Sequence, residues 1–325
     1  MTATDCGRAS VNEGAMGVVT ELIDRSDELQ IEVSTTSAGA TVIDMGLEVP
    51  GSWEAGRLYA EATMGGLAAV AFGEFELSDE TLRSVEVRTE YPVEACWVAQ
   101  KHADHRAGDP DDVILAGPAK ALLWPPDPSV AEAGYVEQHR QAVAPLQIER
   151  PVNDSDISWL SQSCGLDPKD VFVLVAPTTS LVCAIQVAAR SVDNAMHRMH
   201  SAGIELFEVK SLEGSAPVPP PSTDELVALG RINDSLMYGT TVNTIVRSVV
   251  DFNVVAEEVT TQPADSAGRL FLEIFDAAGN RFHNVPLEVF CISMFTIADP
   301  TLGMSVSVGA IDHDLLWTSF YGTST

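Results

Sequence analysis

The stretch Val171-Phe172-Val173-Leu174-Val175-Ala176-Pro177-Thr178-Thr179-Ser180-Leu181-Val182 carries no charge, and its order of residue types decides the fold class. Five consecutive apolar residues, three of them β-branched, suit a strand buried on both faces, as in a parallel sheet covered by helices. Pro177 cannot continue a ladder, and Ser180 is an N-cap residue standing before a new periodicity. The uncharged run extends to Ala189. Pro177 to Ser180 and Gln186 interrupt it with polar or turn-forming groups, so a strand followed by a helix fits better than a membrane span. Strand, turn and amphipathic helix in succession are the unit of an α/β layer.

The spacing predicts one long helix over Ser180 to Ala202. On a wheel of about 100° per residue, Leu181, Ile185, Ala188, Val192, Ala195, Met196 and Met199 share one face. Cys183, Gln186, Arg190, Asp193 and His197 share the other, with His200 at its margin. Arg190 and Asp193 are three apart and Asp193 and His197 four apart, so each pair is adjacent. Three readings fit this stripe: a solvated face laced by ion pairs, a catalytic carboxylate with a cationic partner, or a metal site from Asp193, His197 and His200. The chain supplies no second His/Cys cluster to strengthen the metal reading, and His102-x-x-His105 lies in a polar, acid-rich segment.

Working outward, Val11 to Leu29 has helical spacing. Leu29 to Val33 and Ala40 to Met45 alternate like paired strands around Ser37-Ala38-Gly39. Ser52 caps a helix that stops at Gly65-Gly66, before a strand at Leu67 to Phe72. Val85 to Arg88 and Glu205 to Val209 read as strands, Val93 to Gln100 and Asp224 to Leu236 as helices. The remainder to Phe320 reads as mostly strand-like, with a short terminal helix. Strands and helices alternate without repeats. The class is α/β, in two layered domains with the active-site pocket between them: 1–150 and 151–325, the second carrying helix 180–202.

The charge bounds the partners. With 18 Lys and Arg against 47 Asp and Glu, the net charge is −29. Such a surface repels phosphates and anionic lipids, so neither nucleic acid nor membrane is an expected partner. High salt would screen its self-repulsion. Five cysteines, widely spaced and without a C-x-x-C, argue against a disulfide framework or a zinc cluster, and for a reducing, cytoplasmic compartment. Met1 to Ser10 lacks the apolar core of a signal peptide. Only four lysines occur, at 101, 120, 169 and 210. Lys101 and Lys120 are candidates to meet an anionic substrate tail.

An ordered set of motifs goes further. Ser10-Val11-Asn12 is followed by Gly51-Ser52-Trp53-Glu54-Ala55-Gly56, Met64-Gly65-Gly66-Leu67, Ala95-Cys96 with Gln100-Lys101, and Gly117-Pro118-Ala119-Lys120-Ala121. Then come Val175 to Leu181, Gln186 to Asp193, Gly214-Ser215-Ala216-Pro217, Gly230-Arg231-Ile232-Asn233-Asp234 and Tyr238-Gly239. Together they resemble methenyltetrahydromethanopterin cyclohydrolase over roughly residues 10 to 240, fading after Val249.

The resemblance implies two α/β domains enclosing a pocket for a reduced pterin, usually in a homotrimer, with no metal or other cofactor. It also implies hydrolysis of a methenyl bridge to a formyl group. It assigns catalysis to Arg190 and to the acid three residues on. It assigns substrate binding to Gln100, Lys101, Lys120, Ser180, Ser215, Arg231, Asn233 and Asp234. Here the acid is Asp193, where the family has glutamate, one methylene longer. That departure leaves a second reading, a non-catalytic pterin-binding relative. Ile232 in place of threonine, and Phe290-Cys291-Ile292-Ser293 in place of a Pro-Ala segment, are further departures.

Overall fold

Two mixed sheets organise the molecule, and each draws strands from both sides of residue 150. The computed structural model describes residues 8–102 and 114–322; His105 lies outside the described residues, as does the acid-rich segment after His102. In chain order the strands are β1 Glu32–Thr35, β2 Thr41–Asp44, β3 Ala69–Leu77, β4 Glu80–Thr89, β5 Ile114–Leu115 and β6 Ala142–Gln147. They continue with β7 Val171–Val175, β8 Val209–Pro217, β9 Thr241–Val246, β10 Met294–Asp299 and β11 Met304–Gly309. The first sheet has the order β1-β2-β7-β6-β5 and the second β11-β10-β9-β8-β4-β3. The sheets are therefore not the halves 1–150 and 151–325: the chain crosses between layers, and long-range pairing of this kind leaves no mark in local composition.

The α-helices are α1 Val11–Asp24, α2 Ser26–Leu29, α3 Trp53–Thr63, α4 Pro128–Glu132, α5 Asp154–Cys164 and α6 Leu181–Ala188. After them come α7 Ser191–Ser201, α8 Glu225–Tyr238, α9 Phe252–Thr260, α10 Phe271–Ala277 and α11 His313–Tyr321. The α/β class and its two layers agree with the sequence reading. As its uninterrupted apolar run requires, β7 lies between parallel neighbours β2 and β6. Four of its five residues are buried.

Local chemistry explains where the elements differ from expectation. The helix expected over Ser180 to Ala202 breaks at Arg190. Its N–H donates to the Val187 carbonyl at 2.9 Å, a tightened turn, and α7 restarts at Ser191. The strand expected over Glu205 to Val209 opens with a 3-10 turn, Leu206–Glu208. There the Glu208 carboxylate accepts from the Glu205 N–H at 3.1 Å as part of a capping box, and β8 begins only at Val209. Val93–Gln100 is helical but wound as a π-helix, its end closed by a Lys101 N–H to Cys96 carbonyl bond of 2.9 Å. The C-terminal third holds α9 and α10 between its strands. Asp251 caps α9, whose Phe252, Val255, Ala256 and Val259 are buried at helical spacing.

Two glycines set the layer spacing. A Cβ at Gly56 would stand 2.5 Å from Ile185 Cδ1, so this glycine lets α3 lie directly on α6. A Cβ at Gly214 would stand 2.5 Å from Ser191 Oγ and 2.9 Å from Val192 Cγ1, so the start of α7 rests on the backbone of β8. That seating fixes the turn bearing Arg190. Among the described residues, no helix is long and apolar enough to cross a membrane.

Candidate active site

The polar stripe of the broken helix is not solvated. Arg190 is 7% and Asp193 3% exposed, and they form an ion pair through Arg190 Nη2 and Asp193 Oδ2. Burying such a pair is tolerable only when each charge satisfies the other. It does not close the site off, because Arg190, Asp193, Asn194 and His197 all line one cavity of about 280 Å³. These four stand at i, i+3, i+4 and i+7, a single face spanning the break and the first two turns of α7.

The other walls come from both layers. Lys101 and His102 follow the π-helix, Ile114 and Gln147 face each other on the paired strands β5 and β6, and Val187 lies in the last turn of α6. Leu229, Ile232, Asn233 and Leu236 come from α8, while Phe282, His283, Val285, Leu287 and Phe290 close the far side. The cavity thus sits between layers, apolar and aromatic on one wall and ionisable on the other, close to the lower end of the ~300–1,000 Å³ typical of small-molecule sites. In a chain of net charge −29, Asp193 is the one carboxylate among the described residues lining it.

The expected site residues separate into three groups. Arg190, Asp193, Lys101 and Asn233 meet in the cavity. Lys101 Nζ lies 4.1 Å from the centre of the Trp97 ring, and the Asn233 amide donates to the Leu229 carbonyl at 2.8 Å.

Gln100 and Lys120 stand behind the cavity wall. Gln100 is fully buried at the end of the π-helix and donates to the Ala189 carbonyl at 3.4 Å, beside the break. Lys120 is also fully buried. Its ammonium donates to the Trp97 and Lys101 carbonyls at 3.0 and 2.8 Å and to Ser129 Oγ at 2.9 Å. Burial lowers its pKa to about 7. The bonds hold the last turn of the π-helix, from which Lys101 enters the cavity, so the expected contact with a substrate tail is replaced by a contact with backbone.

Ser180, Ser215, Arg231 and Asp234 lie away from the cavity. Ser180 caps α6, accepting from the Cys183 N–H at 3.0 Å. With Arg231 it borders a separate small crevice beside Pro219, Pro220 and Pro221. Arg231 is spent on the Pro220 and Pro221 carbonyls at 3.1 and 3.3 Å. Ser215 sits within β8, opposite Glu86 and Thr241. Asp234 ties α8 to its neighbours, accepting from the Phe271 N–H at 2.7 Å and from Ser319 Oγ at 2.6 Å. Burial raises its carboxyl to about 7.

Sequence reasoning did not reach the aromatic wall, since Phe282 and Phe290 approach the site only through tertiary packing. Asn194 it could have reached, because it sits four residues after Arg190. The alternative metal reading of Asp193, His197 and His200 does not converge: His200 turns away to pair with Glu132 at 3.0 Å, and no group of three His, Cys, Asp or Glu is placed to hold a metal ion among the described residues.

A buried ion pair opening into an interlayer cleft walled by aromatics gives this α/β protein a site suited to a small organic ligand. The chain belongs to the family described as Cyclohydrolase (MCH), whose model matches residues 10–320. It is 33% identical to a protein named methenyltetrahydromethanopterin cyclohydrolase from Methanobrevibacter smithii, over 96% of this chain and 98% of that one. Proteins of the same name from Methanothermobacter marburgensis and Methanospirillum hungatei are 32% and 30% identical. Both matches cover 96% of this chain, and 99% and 98% of the respective relatives.

Proposed function

We propose that this chain hydrolyses the methenyl bridge of methenyl-tetrahydromethanopterin to the formyl group. The observation that carries the reading is the Arg190–Asp193 pair, buried yet lining a cavity with room for a flat heterocycle. The bridge carbon belongs to a cationic amidine and is electrophilic. A carboxylate beside it attracts the cation, takes a proton from the attacking water and returns one to the departing ring nitrogen. Arg190 pairs with that carboxylate and fixes its direction. Phe282 and Phe290 offer flat apolar surface to the ring system, and Lys101 offers positive charge to an anionic tail.

The chain works without metal or cofactor, as a homotrimer in the cytoplasm. The family resemblance supports these points, and the four described cysteines, all buried free thiols, support the reducing compartment alone. Incubating the purified chain with the methenyl substrate, in salt high enough to screen its charge, tests the reading. Loss of the amidine absorbance with stoichiometric formyl product is the expected result. Saturable binding without turnover at any pH would make the chain a pterin-binding relative instead.

A further inference from the structure

The reaction proposed above moves both protons of the attacking water and releases one of them. A cationic amidine and water give a neutral formyl compound and one proton. The water oxygen bonds to the bridge carbon as the C=N pair moves onto nitrogen. One water proton passes by way of the carboxylate to the nitrogen whose C–N bond then breaks. The hydroxyl proton must leave as the carbonyl forms, and a second base can take it while Asp193 is still delivering the first proton to nitrogen.

Among the described residues, two buried side-chain atoms without a hydrogen-bond partner belong to residues lining the cavity: Asn194 Nδ2 and His197 Nδ1. A buried polar atom left unpaired costs about 1–3 kcal/mol, which points to a partner supplied by something bound. The two stand three residues apart on α7, hence adjacent, on the stripe that carries Asp193. One offers an N–H, and the other offers a lone pair in the neutral tautomer that carries its proton on Nε2. A water or hydroxyl between them would accept from Asn194 and donate to His197. Resting on the proposed hydrolysis, we infer that His197 is a second catalytic residue, which takes the hydroxyl proton as the carbonyl forms, and that Asn194 orients that hydroxyl.

The surroundings suit the role. The charged and titratable groups near His197 are Lys101 beyond the π-helix, Asp193 and Arg198 on α7, Glu288 on the closing segment, and His102 and His283 across the cavity. Burial, reinforced by Lys101, holds the ring below the ordinary histidine range, so it is neutral and able to accept a proton at pH 7. The ring also stacks on Trp97, its centre 6.1 Å away, which limits its rotation.

The test compares His197→Gln and His197→Asn with the wild type, each checked for native circular dichroism. Expected are a fall of about 10²-fold in kcat, KM within about threefold, an acid limb of the pH–rate profile displaced to lower pH, and partial rescue by added imidazole. Unchanged kcat and an unchanged profile in an active background would overturn the inference alone. A wild type that binds substrate without turnover would overturn the proposed reaction and this role together.

Discussion

Asp193→Asn is expected to lower kcat by about 10²–10⁴-fold while the variant still binds the pterin. The amide keeps the shape of the side chain and one oxygen toward Arg190, so the cavity wall persists. What disappears is the capacity to take the water's proton and pass one to nitrogen. Asp193→Glu is expected to remain active, because the stripe at Arg190, Asp193, Asn194 and His197 faces open cavity rather than packed core, and an added methylene has room. Steady-state and single-turnover assays separate the binding and chemical steps. An Asp193→Asn variant with wild-type kcat would remove the residue from the mechanism.

The second large effect concerns stability. Arg190→Met should destabilise the fold by about 3–5 kcal/mol, because it leaves the Asp193 carboxylate, 3% exposed, without its cation. Urea denaturation of the variant and the wild type, in the same high salt, measures the deficit as a lowered midpoint at unchanged slope. An unchanged midpoint would mean that the pair contributes nothing to the fold.

The sequence reading reached different depths in different places. The uncharged run at Val171–Val175 specified its own position, because a strand buried on both faces has one natural home, between parallel neighbours. The stripe on α7 was legible because i, i+3 and i+4 spacing survives any tertiary context. The break at Arg190 was not, since neither proline nor glycine stands there; the tightened turn accompanies the seating of Ser191 and Val192 on Gly214. Lys120 shows the opposite limit. Rarity of lysine suggested contact with an anionic substrate tail, whereas the side chain is fully buried on two backbone carbonyls and a serine. Arg231 and Asp234 are likewise taken up by neighbouring loops and helices. The residue types that bind ligands also bind backbone, and only placement tells the two apart.

The most direct measurement is a crystal structure of the Asp193→Asn variant soaked with the methenyl substrate. The bridge carbon should lie in the cleft between α7, α8 and the Phe282–Phe290 wall, with a water between it and the side chain at 193, the oxygen about 3–3.5 Å from the carbon. Substrate seated elsewhere, or seated in the cleft with its bridge turned away from position 193, would contradict the account.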